Sequence, residues 1–112
     1  MIEKINTQLD RVRDEIKKFF NHESYILNLI QGMDTDSGVE IHWVFSHRVK
    51  KNDMIVIIAF CKDEIVPTIV DIAPNSSIFE SELVDLFGIE VDGAKKGLFL
   101  DVDGKKAPLR KG

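Results

Sequence analysis

Between residues 2 and 20, the apolar side chains Ile2, Ile5, Leu9, Val12, Ile16 and Phe19 recur at spacings of three and four. Glu3, Lys4, Asp10, Arg11, Asp14, Lys17 and Lys18 fill the other positions. That period predicts an amphipathic helix over 2–20 whose stripe packs on a sheet. The pattern then changes. YILNLIQGM, residues 25–33, predicts a strand ending near Gly32, and MDTDSG is turn-rich. From Val39 the chain alternates, with Val39, Ile41, Trp43 and Phe45 on one side and Glu40, His42, Val44 and Ser46 on the other. Such alternation predicts a half-buried strand. KKND, residues 50–53, has the composition of a hairpin loop. MIVIIAFC, residues 54–61, is apolar on both faces and predicts a central strand.

The next stretch is less regular. Pro67 and Pro74 bracket TIVDIA, which reads equally as a short edge strand or a helical turn. A second helix follows. Ser77 as its N-cap and Glu80 three residues on have the form of a capping box, and Phe79, Leu83, Leu86 and Phe87 supply an apolar stripe. Gly88 ends it. After Gly93 the chain is rich in Gly and Lys, with Leu98, Phe99 and Leu100 as a possible strand or anchor. The order predicts an α+β fold, a two-layer domain with helices packed on a small mixed or antiparallel β-sheet. The expected organisation is one domain over 1–93 and a basic C-terminal tail over 94–112.

Composition narrows the class. The chain has 112 residues, 44% hydrophobic and 30% charged, which fits one globular domain and excludes disordered, fibrous and membrane-spanning chains. Its single cysteine, Cys61, lies within the apolar run, so it reads as a core residue and leaves no disulfide framework or cysteine cluster. The first ten residues carry charges where a secretory signal needs an apolar stretch, so export is not expected. Apolar runs fall far short of the ~20 residues of a membrane span. Charge is distributed in blocks: residues 1–62 balance at nine bases and nine acids, residues 63–92 carry eight acids and no base, and residues 93–112 carry six bases and two acids. An acidic segment followed by a basic tail suits protein docking. With only Phe99 among its bases, the tail does not suggest nucleic-acid binding.

The acidic helix holds the best candidates for chemistry. Glu82 and Asp85 are three apart and share a face, while Glu80 lies on another. Asp85 stands near the helix C-terminus, where the backbone dipole disfavours an anion, so it requires a cation from elsewhere. Lys95, Lys96, Lys105, Lys106, Arg110 and Lys111 are the nearest in sequence. Capping and ion pairing account for these carboxylates better than acid–base catalysis. His22, His42 and His47 are the only histidines, and His42 and His47 point to opposite faces of a regular strand. No glycine-rich loop opens a helix, and no nucleophile elbow appears. No catalytic, cofactor-binding or metal-binding residue is expected.

Residues 66–89, VPTIVDIAPNSSIFESELVDLFGI, resemble the thirty-kilodalton subunit family of respiratory complex I. Val66, Pro67, Ile69, Pro74, Phe79, Glu80, Glu82, Asp85, Leu86, Phe87, Gly88 and Ile89 match that family's pattern, which ends E-R-E-x-x-D-L/M-F-G-I. Ala107, Pro108, Leu109, Arg110 and Lys111 echo a later G-H-P-L-R-K. The chain departs from the pattern at Ser81, where the family has Arg, and at Ala94, where it has His, and the Arg-rich segment that follows is reduced to KKG. The compact form is similar to the small subunit of membrane-bound, energy-converting [NiFe] hydrogenases. The resemblance implies a subunit with no cofactor and no catalytic residues of its own, docked on a hydrogenase-like large subunit and a small iron–sulfur subunit. It would lie at the cytoplasmic face of the inner membrane and touch the membrane only through those partners. Pro67, Pro74, Glu80, Glu82, Asp85, Leu86, Phe87, Gly88, Pro108, Leu109, Arg110 and Lys111 would form its motif or interface. A complex I-type subunit of the peripheral arm and a free-standing small protein-binding domain are the alternatives.

Overall fold

The computed structural model describes residues 1–50 and 52–92. Strand β1 (Ile2–Asn6) leads through a 3-10 turn (Leu9–Arg11) into helix α1 (Val12–Phe19). Strands β2 (Tyr25–Thr35), β3 (Gly38–His47) and β4 (Met54–Cys61) follow, and then helix α2 (Ser76–Phe87). The four strands form one sheet in the order β1-β4-β3-β2, with β1 parallel to β4 and the other pairs antiparallel. The fold is α+β, two helices packed on a mixed sheet.

The expected helix over 2–20 is therefore two elements. Ile2 and Ile5 belong to an edge strand in which Ile5 lies beside Ile57, and only Leu9, Val12 and Ile16 carry a buried stripe on the helical side. A three-four spacing fits a strand running into a helix as well as it fits one helix. Asn6 and Thr7 favour the break, because their short polar side chains compete with helical backbone bonding. Gln8 is already extended at φ −101°.

Alternation on β3 sets the core. Val39, Ile41, Trp43 and Phe45 are fully buried against the helices, joined from β4 by Ile57, Ala59 and Cys61 and from β2 by Leu27 and Ile30. Phe19 and Phe20, at the end of α1, meet Phe45 edge to face at 5.1 and 5.5 Å. Full burial of a side chain such as Phe45 contributes roughly 1.5–3 kcal/mol. As expected, β4 is central, between β1 and β3, and Cys61 is a core residue whose thiol reaches the Glu64 carbonyl at 3.3 Å. The β3–β4 connection falls on the KKND stretch, of which Lys51 lies outside the described residues.

TIVDIA resolves as a helical turn. The amides of Ile72 and Ala73 both donate to the Ile69 carbonyl, at 2.9 and 2.7 Å. Beyond α2 the chain returns beside the start of this segment. The Val66 amide donates to the Glu90 carbonyl at 2.9 Å and the Asp92 amide to the Val66 carbonyl at 2.7 Å. Val66, Ile89 and Val91 are buried by that return. The expected tail over 94–112, with Leu98, Phe99 and Leu100, lies outside the described residues.

Candidate functional site

The Pro-bracketed segment is held from two sides. From α1, the Arg13 guanidinium grips Asp71 through two bonds of 2.6 and 2.7 Å and also donates to the Thr68 carbonyl at 2.7 Å. The fork-to-fork geometry suits a carboxylate. It draws the Asp71 carboxyl down from 3.8 to about 2 and raises the Arg13 guanidinium above its ordinary value, with the Asp71 hydrogen bond as the main cause of the second shift. From α2, the buried Glu80 carboxyl accepts from the Thr68 hydroxyl at 2.7 Å, the Ile69 amide at 2.8 Å and the Ser76 hydroxyl at 3.3 Å. Ile69 and Ala73 can thus enter the core while the polar backbone of their loop remains satisfied.

This arrangement corrects the expected capping box. Helix α2 starts at Ser76, one residue before the expected cap, and the residue ahead of it, Asn75, makes no side-chain capping bond. The Asn75 amide group instead donates to the Leu27 carbonyl on β2 at 3.0 Å. Ser77 is exposed, and Glu80 reaches past the helix start to the preceding turn. The turn offers Glu80 a buried amide and two hydroxyl groups. A capping box would have offered one exposed amide. Gly88 ends the helix as expected, at a left-handed φ of 66° with its amide on the Val84 carbonyl at 3.1 Å.

The remaining motif residues form the wall of a groove. Phe79, Glu82, Leu83, Leu86 and Phe87 of α2 face Leu29, Ile30, Gln31 and Gly32 of β2 around an open cavity of about 330 Å³. Leu83 and Phe87 are buried, Phe79 and Leu86 half-buried and Glu82 exposed. The close approach depends on Gly32: a Cβ there would stand 2.9 Å from the Phe87 ring and 3.2 Å from Leu83. Asp85 is half-buried on the flank of the same helix. Among the described residues, no cation lies within ion-pair distance of Glu82 or Asp85. Lys95, Lys96, Lys105, Lys106, Pro108, Leu109, Arg110 and Lys111 lie outside the described residues.

Most of the expected site residues within the described part fall into two constructions. Pro67, Pro74 and Glu80 belong to the clamped turn; Glu82, Leu86 and Phe87 belong to the groove, while Asp85 lies on the flank of α2 and Gly88 at the end of that helix. Sequence reasoning missed Arg13, Thr68, Asp71 and Ser76 in the clamp and Gly32 in the groove. Only Gly32 left a signal, where the sequence pattern predicts the end of the strand; β2 instead runs through it to Thr35.

The histidines take separate roles. His42 sits 3.0 Å from Glu40 on the sheet face away from the helices. His47 accepts the amides of Val49 and Lys50 and packs edge to face on Tyr25 at 5.1 Å. His22 packs on Phe20 at 5.0 Å. Among the described residues, no three His, Cys, Asp or Glu side chains converge as metal ligands, and no helix is long and apolar enough to cross a membrane.

Comparison with known proteins agrees with this geometry. A subunit of the membrane-bound sulfane sulfur reductase (MBS), an archaeal respiratory membrane complex, superposes with a TM-score of 0.78 at 20% identity. The match covers 97% of this chain and 69% of that one. The trypsin-resistant fragment (1-134) of Nqo5 superposes with a TM-score of 0.69 at 17% identity, over 82% of this chain and 80% of that one. These likenesses establish a shared fold. No curated protein sequence matches significantly. The family model described as "Respiratory-chain NADH dehydrogenase, 30 Kd subunit" matches residues 3–112, and the chain therefore belongs to that family.

Proposed function

We propose that the chain is a non-catalytic assembly subunit of a membrane-bound respiratory complex, and specifically of an energy-converting [NiFe] hydrogenase. In this reading the hydrogenase works in ferredoxin-linked hydrogen metabolism coupled to ion translocation. The chain docks on the hydrogenase-like large subunit and the small iron–sulfur subunit at the cytoplasmic face of the membrane. The observation that carries the proposal is the flank of α2 in a chain of this family. Glu82 lines an apolar groove and Asp85 lies three residues on along the same helix, with no cation from the described residues to meet either. Unpaired like charges so placed suit a partner that brings the opposite charge. The Pro108–Lys111 stretch is proposed as part of the same interface.

A reductase-type or complex I-type assembly is the second reading, favoured by the fold shared with the sulfane sulfur reductase subunit over nearly the whole chain. The test is to tag the chain in its native host, solubilise the membranes gently and identify what co-purifies. Stoichiometric large and iron–sulfur subunits with bound nickel are expected. The same partners without nickel would favour the second reading. Recovery of a lone chain would overturn both.

A further inference from the structure

Strand β2 is an edge of the sheet, eleven residues long, and carries neither Lys nor Pro. Such an edge offers backbone groups to any extended chain unless something blocks it. Among the described residues, a bulge and a side chain of the α2 approach block one end of it. A register shift between Leu27 and Leu29 leaves Asn28 as a bulge, and Asn75 takes the outward carbonyl of Leu27. Past the bulge the strand is regular as far as the hairpin turn.

The bonding direction there follows from neighbouring contacts. The Arg48 amide bonds across to the Ser24 carbonyl, so even-numbered β3 residues face β2, and the pairing places Leu29 against Val44 and Gln31 against His42. Bonding groups alternate along an antiparallel pair. The amides and carbonyls of Ile30 and Gly32 therefore point to the open edge, and among the described residues nothing bonds to them. They open into the α2 groove, whose wall is Phe79, Leu86 and Glu82.

We propose that a partner subunit adds one extended strand to β2 at Leu29–Gly32, over the α2 groove. Backbone bonds to Ile30 and Gly32 would hold it. Its alternate side chains on the helix side would be apolar, to meet Phe79 and Leu86, with a Lys or Arg to meet Glu82. The charge requirement follows from residues 63–92, which supply eight acids and no base. Main-chain bonds give such an addition its affinity, and the alternating pockets give it selectivity. The inference rests on the docking reading above and names the form that docking takes.

Hydrogen exchange on the full chain, free and in the complex captured from native membranes, tests the proposal. In the free chain the Ile30 and Gly32 amides should exchange readily, and in the complex they should slow by about a hundredfold or more. Leu86→Lys should lower partner recovery about tenfold, and if that variant fails to fold, Glu82→Lys at its exposed position should do the same. An intact complex in which both amides still exchange freely would overturn strand addition and leave the docking reading standing. Slow exchange already present in the free chain would assign the edge to this chain or a second copy and overturn the proposal. Absence of any co-purifying partner would overturn the docking reading as well.

Discussion

Glu80 shows how a residue can belong to a motif for structural reasons. Its carboxyl is buried and accepts three hydrogen bonds, one of them from the buried backbone amide of Ile69. Glu80→Ala would strand that amide and two hydroxyl groups, and should lower stability by about 1–3 kcal/mol. Glu80→Gln should cost less, because its amide oxygen still accepts while its NH2 group faces donors. A denaturant midpoint unchanged in the Ala variant would contradict this account of the clamp. The Arg13–Asp71 pair makes a different prediction, in pH. The Asp71 carboxyl is drawn down to about 2 in the fold, below its ordinary 3.8, so the folded state holds fewer protons in that interval. Its contribution is present above the ordinary value and is lost as pH falls toward about 2. Thermal unfolding of Asp71→Asn and the unchanged chain should therefore differ near neutral pH and converge in acid. The gap should be modest, since Asp71 is mostly exposed.

At the scale of elements, α2 is fixed by what it touches more than by its own sequence. Ser77→Ala should leave the unfolding midpoint unchanged, because that side chain is exposed and caps nothing. Ser76→Ala removes a buried hydroxyl that bonds Glu80, and should cost about 1 kcal/mol. Gly32→Val would drive a side chain into the Phe87 ring and Leu83, with an overpacking cost of about 1–3 kcal/mol. Chemical denaturation of the three variants side by side orders these expectations. They also mark what could be read from sequence. Alternation on β3, the apolar run of β4 and the glycine stop of α2 are local patterns, and each appears where the pattern placed it. Strand β1 was hidden because its five residues acquire strand identity only by pairing with β4, some fifty residues away. The Arg13 contacts span 55 and 58 residues, and no periodicity reports an interaction of that separation. The Glu80 carboxyl was assigned to the nearer partner by a local rule, and the fold supplied a better one.

The whole molecule separates acids that hold the fold from acids that do not. Glu80 and Asp71 are engaged within the chain, one by the clamped turn and one by Arg13. Glu82 is presented at the groove and Asp85 three residues further along α2, and Ser81 between Glu80 and Glu82 supplies no positive charge. Asp85 also faces the negative end of its own helix dipole, a cost of a few tenths to about 1 kcal/mol that a partner's cation would remove. Changing Glu82 and Asp85 together to Gln and Asn should leave folding nearly unaltered or slightly improve it. Complex assembly should weaken in the same variant, and the difference from the unchanged chain should shrink at high salt, as expected for exposed charges that steer and register an interface. The measurement is thermal unfolding of the full chain alongside recovery of partner subunits over a range of ionic strength. Normal assembly at every salt concentration would remove these carboxylates from the interface. Normal assembly with loss of the complex's turnover would instead assign them to proton chemistry.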